Sequence, residues 1–185
     1  MKRVFVALYD DVENAQGAVE DLHEAGFGRR DISVIRRNAT EDFVDRSEPV
    51  ELRDEDVDRV GADAILGGLT GMVVGLLALA IPGVGPVIAA GPIAAAIVGA
   101  GAGIVTGGLV GALVELGVEE ETAGYYAEGV RRGGTLVAVE TPVNREAEVN
   151  EILEDHDPVD LERRLTNWRE EGWERFNPER EPYRL

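Results

Sequence analysis

Few residues of this chain could take part in acid–base, nucleophilic or metal chemistry. Cysteine is absent, which excludes thiol nucleophiles and cysteine-ligated zinc. Of the two histidines, His23 follows an apolar position of a predicted helix, and His156 lies in an Asp-His-Asp stretch of the kind common in turns. We expect neither to bind a metal. Since no nucleophile–base or acid–base pair is visible, we predict a protein that is not an enzyme, with no catalytic residue, metal or cofactor.

Carboxylates are the most abundant titratable groups, but their spacing does not indicate a site. The chain has 36 acidic and 18 basic residues and a net charge of −18, which argues against a nucleic-acid-binding protein. Nine acids lie in residues 38–62, yet the spacing over residues 54–58 does not match a calcium-binding loop. We interpret this stretch as a solvated linker.

The first elements that could position a site form a β-α-β unit over residues 3–36. Residues 4–9 are apolar on both faces, as in an interior strand. Apolar positions then recur every three or four residues until Gly26, which predicts an amphipathic helix. Residues 31–35 alternate like a second strand.

A second unit of similar size follows Gly133 and Gly134. Residues 135–139 are typical of a strand, residues 144–154 of a helix and residues 157–161 of a short, polar edge strand. Two β-α-β halves of this size form the ferredoxin-like split β-α-β sheet. We therefore predict an α+β fold of that type, interrupted by the segment between the halves.

The intervening segment is the most unusual part of the sequence. Residues 64–114 contain no charged residue, and these 51 positions include 13 Gly and 11 Ala. Two apolar runs, 64–81 and 93–114, flank a turn that contains three prolines. As helices they would be nearly as long as the hydrocarbon core of a bilayer is thick, about 30 Å. We predict a helical hairpin over residues 63–117.

Glycine recurs every four residues in both predicted helices. The positions are Gly67, Gly71 and Gly75 in the first helix and Gly99, Gly103, Gly107 and Gly111 in the second. Four residues turn a helix by about 400°, so each row follows one face. Two backbones can approach closely along a face without side chains, and we therefore predict that these seven positions pack helix against helix.

The sequence leaves two alternatives for the surroundings of the hairpin. In a membrane, Arg53 and Arg59 before it and Arg131 and Arg132 after it would place both termini in the cytoplasm. Alternatively, the hairpins would be buried at the centre of a cytoplasmic homo-oligomer. We expect a homo-oligomer in both cases, with membrane lipid as a further partner in the first. A monomer is not expected, because we expect 185 residues to be too few to cover so much apolar surface.

Five residues after the hairpin are candidate contacts with a partner or a lipid headgroup. They are Tyr125, Arg131, Arg132, Trp168 and Trp173. Tyr126 is expected to pack on the sheet, which leaves Tyr125 for a partner, and the two arginines suit a helix C-terminus or a headgroup. The tryptophans of the tail, 163–185, are expected to dock on the domain or on a neighbouring subunit.

Three stretches of the chain resemble a known family. They are residues 4–11 (VFVALYDD) with Ala15, Leu22 and Gly26-Phe27, the glycine-rich hairpin, and residues 121–139 (ETAGYYAEGVRRGGTLVAV). Together they are similar to the general stress protein family, which includes low-temperature- and heat-induced membrane proteins. The resemblance covers about residues 3–140 and implies a cytoplasmic α/β module with a membrane-type hairpin and a stress-linked role. It supplies no catalytic residues, and the linker and the tail depart from it.

These observations predict a non-enzymatic, stress-response-associated membrane protein whose glycine-zipper hairpin anchors and oligomerises a cytoplasmic α/β module. The alternatives are a soluble homo-oligomer with buried hairpins and a ligand-sensing regulatory module whose small-molecule ligand is unknown. The predicted units are the first half (1–36), the acidic linker (37–62), the hairpin (63–117), a helix with the second half (118–162) and the tail (163–185).

Overall fold

The computed structural model describes residues 2–37, 77–81, 84–99 and 108–180 of the chain. Within these ranges there are five strands and six α-helices. The strands are β1 (Lys2–Tyr9), β2 (Ile32–Arg37), β3 (Leu77–Ile81), β4 (Gly85–Ala90) and β5 (Thr135–Pro142). The helices are α1 (Val12–Glu24), α2 (Gly91–Gly99), α3 (Gly108–Glu115), α4 (Glu120–Arg131), α5 (Glu146–Glu154) and α6 (Leu161–Glu170). A short 3-10 helix, Val143–Arg145, connects β5 to α5.

The strands form one antiparallel sheet in the order β1-β5-β2-β4-β3. β5 pairs with β1, where Phe5 faces Val139, and with β2, where Val34 faces Val137. Since β5 is antiparallel to both neighbours, β1 and β2 run parallel to each other with β5 between them. This is the split β-α-β arrangement that the sequence predicts, and the α+β class is confirmed.

The strand expected over residues 157–161 is not formed, so that prediction was wrong. The segment lies beside the free edge of β1 but makes one ladder-type bond, from the Val159 N–H to the Leu8 carbonyl at 2.7 Å. Pro158 has no N–H to donate, and Asp157 has a φ of 51°, which breaks the extended backbone. The Asp160 side chain then accepts a hydrogen bond from the Arg163 N–H and starts α6.

The helix predicted over 64–81 and the turn predicted over 82–92 were also wrong within the described residues. β3 and β4 form an antiparallel hairpin there, in which Leu79 faces Val87, and β4 extends the sheet from β2. The alternation of β4 fits this outcome, because Val87 and Ala89 are buried and belong to the core. The remainder of the first run, residues 64–76, lies outside the described residues, as does the linker from residue 38 onwards.

The second apolar run is helical where it is described, in α2 and α3, and these helices pack inside the chain. Ile93, Leu109 and Leu113 are each at most 1% exposed, so the chain itself covers this part of the uncharged segment. A close approach fixes the turn into α2: Gly91 has a φ of 84°, and a Cβ there would lie 2.8 Å from Ser33 Cα. The Ser33 hydroxyl, in turn, accepts a hydrogen bond from the Ile93 N–H at 3.1 Å.

Helices cover both faces of the sheet. On one side, the α1–α5 face, the alternate β1 residues Ala7 and Tyr9 pack with the buried sides of α1 and α5. On the other, the α2–α4 face, Leu8 packs with the buried sides of α2, α3 and α4. β1 is therefore apolar on both faces, as predicted, although it lies at the end of the sheet. Within the described residues, no helix combines the length and the apolar character needed to cross a bilayer.

Candidate functional site

The site is built around α4, which lies between the sheet and the C-terminal residues. The inner residues Ala123, Tyr126, Ala127 and Val130 are buried in the core, as the sequence predicts. Gly133 ends the helix with a φ of 105°, and the Gly134 N–H donates to the Gly129 carbonyl at 3.0 Å. The helix therefore presents one side to the sheet and leaves the other for the tail.

Residues 161–180, which we call the C-terminal cap, cover that outer side of α4. Trp168 and Trp173 are 3% and 4% exposed, with ring centroids 5.7 Å apart, and the Tyr125 ring lies 5.4 Å from that of Trp173. Gly124 also faces the cap, and a Cβ there would make an ordinary contact, 3.5 Å from Phe176 Cβ. Docking of the tail on its own domain, one of the two expected outcomes, is confirmed.

A buried charge cluster, formed by Glu128, Arg131 and Arg132, joins the cap to α4. Glu128 and Arg131 are fully buried and form an ion pair, and Arg132 Nε lies 2.8 Å from the same carboxylate. The Arg131 guanidinium lies 5.4 Å from the centre of the Phe176 ring. The Arg132 guanidinium lies 4.7 Å from the centre of the Trp168 ring and pairs with Glu171 at 2.9 Å. Each arginine thus contacts at least one carboxylate, from α4 or from the cap, and one aromatic ring of the cap.

Arg37, at the end of β2, extends this cluster toward the sheet. Its guanidinium donates to the Arg131 carbonyl at 2.9 Å and so satisfies a carbonyl at the end of α4. Burial, together with the positive charge of Arg131, lowers the pKa of Arg37.

Tyrosine hydroxyls form a second set of links. Tyr126 OH donates to the Val6 carbonyl at 2.8 Å, and burial raises its pKa to about 12. Tyr125 OH donates to Glu121 and accepts from Arg169 at 2.9 Å. Burial first, and then the bond to Glu121, raise the pKa of Tyr125. Both hydroxyls therefore stay protonated at neutral pH.

An open cleft of about 750 Å³ lies between the start of α3, the start of α4 and the cap. Gly108 and Val110 of α3 line it, together with Tyr125 of α4 and with Trp173 and Phe176 of the cap. Its charged lining consists of Glu119, Glu120, Glu121, Glu174, Glu179 and Arg175. We call this space the acidic cleft.

The expected contact residues are largely enclosed by the chain itself. Tyr125, Arg131, Trp168 and Trp173 are between 0% and 8% exposed, so in this conformation they are not available to a headgroup or a partner. Arg132 keeps 25% of its side chain exposed. An external contact through Arg132 stays a prediction.

Of the seven predicted packing glycines, Gly99 and Gly111 lie within the described residues. Gly99 ends α2. Gly111 lies in α3, where a Cβ would meet no atom of the described residues within 4 Å. Val114, on the same side one turn later, is 41% exposed. We call Gly111 and Val114 the α3 outer surface. The positions outside the described residues are Gly67, Gly71, Gly75, Gly103 and Gly107.

Each histidine has one ring nitrogen within hydrogen-bond distance of an oxygen atom. His23 Nδ1 lies 2.9 Å from the Phe27 carbonyl, and His156 Nε2 lies 2.8 Å from Asp21 Oδ2. Among the described residues, no three His, Asp or Glu side chains converge on a point where a metal ion could bind.

Sequence reasoning missed the buried charge cluster and the acidic cleft. The signal for the cluster was present, since Glu128 precedes two arginines by three and four residues, a spacing that brings them together on a helix. The burial of that pair could not be foreseen, because it depends on where the cap docks. The cleft depends in the same way on three separate stretches of chain.

Comparisons with known proteins add no relative to this description. No family model matches the sequence, and searches of curated proteins and of solved structures find no significant match.

Proposed function

We propose that this protein is a non-enzymatic, stress-response-associated module that assembles with copies of itself through the uncharged segment. The surface through which copies meet is the α3 outer surface. The observation that carries this proposal is the environment of Gly111.

Glycine inside a helix is unfavourable by about 0.8–1.0 kcal/mol relative to alanine. That cost is offset where a neighbouring element needs the space, as for Gly129 of α4 against Leu8 of β1. At Gly111 no atom of the described residues uses the space, and the exposed Val114 adjoins it. Close approach of a second copy would use the space at Gly111 and cover Val114 at the same time.

The end strand of the sheet supports assembly through the same segment. β3 is the last strand in the order and, within the described residues, pairs with β4 alone. Natural edge strands are commonly protected by charges, proline or bulges, but Leu77–Ile81 contains no charge and no proline. Such an edge favours pairing with a strand of another copy.

Membrane association is a second candidate, favoured by the 51 uncharged positions between flanking arginines. Because residues 77–81 and 85–90 are strands, an anchored form would use other residues of the segment. Fractionation separates the candidates. An anchored protein sediments with membranes and is released by detergent but not by high salt, whereas a soluble assembly stays in the supernatant.

The assembly surface is tested by Gly111→Leu, with Ala147→Leu as the matched control. Both changes add leucine to a helix, but Ala147 is an exposed residue of α5 on the opposite face of the sheet. We expect Gly111→Leu to shift the sedimentation mass toward that of the 19.9 kDa monomer, without lowering the free energy of unfolding. The control keeps its mass. An assembly that survives Gly111→Leu unchanged would remove the α3 outer surface from the proposal.

A further inference from the structure

We propose that two copies of this chain exchange their C-terminal caps, so that the cap of each copy docks on α4 of the other. The inference rests on the proposed self-assembly, because it names a second contact between the same copies. It is carried by a strained residue in the segment that connects the cap, by the separate apolar cluster of the cap, and by docking contacts that a second copy can supply. We call residues 155–160, between α5 and the cap, the hinge segment.

The hinge segment holds a strained backbone at Asp157. Its φ is 51°, and no other residue that the structure describes has a positive φ unless it is glycine. Such a φ is unfavourable for a residue with a Cβ, and the following Pro158 adds to the strain because a residue before proline favours extended backbone. An extended Asp157 would relieve this strain and would carry the cap away from its own α4. Short hinges under strain favour exchange between copies.

Once extended, the hinge segment can connect two copies. Six extended residues span at most about 20 Å, which is enough to pass from one domain to an adjoining one. In the closed form, the Val159 N–H donates to the Leu8 carbonyl of β1 at 2.7 Å. β1 of a second copy offers the same carbonyl, so this bond is recovered after exchange.

The cap carries most of the apolar cluster through which it docks. This cluster consists of Tyr125, Leu165, Trp168 and Trp173, and only Tyr125 lies outside the cap. It is separate from the clusters on the two faces of the sheet, so the cap can leave α4 while both faces stay packed. Release exposes the aromatic rings to water, which is unfavourable, and the released cap is therefore stabilised where it docks again.

The contacts that hold the cap select a second copy as the partner. Both terminal nitrogens of Arg164 contact the carboxylate of Asp10, one of them at 3.1 Å, and Glu171 pairs with Arg132 at 2.9 Å. The surface complementary to the cap thus combines α4 with the residue that follows β1, and every copy of the chain presents it. An exchanged pair forms all of these contacts twice and leaves no apolar surface of the cap uncovered.

Two single-cysteine variants of the full chain test the exchange, because the chain has no cysteine of its own. A Cβ at Gly124 would lie 3.5 Å from the Phe176 Cβ, a separation that a disulfide bond spans. Gly124→Cys, isotopically labelled, is mixed with unlabelled Phe176→Cys in mild urea, returned to buffer and oxidised. Neither variant can form the bond within one chain, whereas an exchanged cap brings one cysteine from each copy together.

We expect disulfide-linked hybrids with twice the mass of 19.9 kDa under denaturing, non-reducing conditions. The control mixture pairs Phe176→Cys with Ala147→Cys, since Ala147 is an exposed residue of α5 on the opposite face of the sheet. Docked cysteines have a local concentration in the millimolar range, so at micromolar chain concentrations linking should be about a hundredfold faster than in the control. Equal rates in the two mixtures would overturn the cap exchange. The native sedimentation mass would still report separately on assembly through the α3 outer surface.

The hinge segment is tested in a chain that carries both cysteines. The disulfide then forms within the chain when the cap docks on its own α4, and between chains when caps are exchanged. Adding Asp157→Gly relieves the strain of the closed form and should lower the linked-dimer fraction about fivefold. The matched change Asp155→Gly removes the same charge from an exposed residue whose φ is −65°, and should leave the fraction unchanged. An equal effect of both changes would contradict the proposed role of Asp157.

Discussion

The two faces of the sheet are stabilised in different ways. The α1–α5 face is covered by helices that carry their ion pairs at the surface, such as Arg145 with Glu148. The α2–α4 face includes a fully buried ion pair, Glu128 with Arg131, beneath the aromatic cap. The proposed assembly surface and the acidic cleft both lie on this second side. In our proposal, contacts with other copies of the chain are made on this second side.

One feature is shared by both faces. On the α1–α5 face, Tyr9 OH donates to the Leu153 carbonyl at 2.8 Å, which ties α5 to β1. On the α2–α4 face, Tyr126 OH donates to the Val6 carbonyl at the same distance, which ties α4 to β1. The difference between the faces therefore lies in their charges and glycines, and it can be tested with matched substitutions.

The largest expected effect comes from Glu128→Leu. Removing this carboxylate leaves the buried Arg131 guanidinium without its ion-pair partner, which costs about 3–5 kcal/mol in comparable buried pairs. Its counterpart on the other face is Glu148→Gln, which breaks a solvent-exposed pair and should leave stability within the error of the measurement. Urea denaturation of both variants measures the difference. Similar small losses for both would mean that Glu128 is not buried as described.

Alkaline pH should lower the free energy of unfolding through contacts on both faces of the sheet. The pKa of Tyr126 is raised from 10.0 to about 12, and burial raises the pKa of Tyr9 as well. The unfolded chain loses the tyrosine protons at lower pH than the folded chain does. The contribution of these hydroxyls to stability is therefore complete below pH 10 and is lost as the pH rises through the pKa that each has in the folded protein. Tyr126 alone accounts for a loss of about 2 kcal/mol by pH 12. Denaturation at several pH values measures it, and Tyr126→Phe should reduce the slope. A slope unchanged in that variant would contradict the assignment.

A smaller contrast is expected between Gly129→Ala and Gly17→Ala. A Cβ at Gly129 would overlap the buried side chain of Leu8 on β1, and this overpacking should cost about 1–2 kcal/mol after the gain in helix propensity. A Cβ at Gly17 would lie 2.6 Å from the ring of His156, which is partly exposed and can turn away. Gly17→Ala should therefore change stability little. Thermal unfolding compares the two, and an equal loss would show that both contacts are equally rigid.

The sequence was sufficient for the elements whose pattern is local. The helix stop at Gly26 is confirmed, with a φ of 87° and a bond from the Phe27 N–H to the Leu22 carbonyl. The inner residues of α4 and the docking of the tail are confirmed as well. At Gly26 and in α4, the glycine or the apolar spacing leaves one arrangement that satisfies the backbone, whereas the tail could have docked on a neighbouring subunit instead.

The predictions failed where distant pairing decides the structure. Leu77–Ile81 is compatible with a helix or a strand, and it becomes a strand because β4 pairs with both β2 and β3. Residues 157–160 lie beside β1 but contain a proline and a residue with positive φ, so one bond forms instead of a ladder. The acidic cleft could not be foreseen, because its lining residues in the cap, 173–179, follow those at the start of α4, 119–125, only after 48 further positions along the chain.

Sedimentation equilibrium of the unmodified chain in detergent-free buffer tests the central claim most directly. Self-association through the uncharged segment predicts a mass that is a multiple of 19.9 kDa and that falls toward this value on dilution. A mass of 19.9 kDa at every concentration would contradict it.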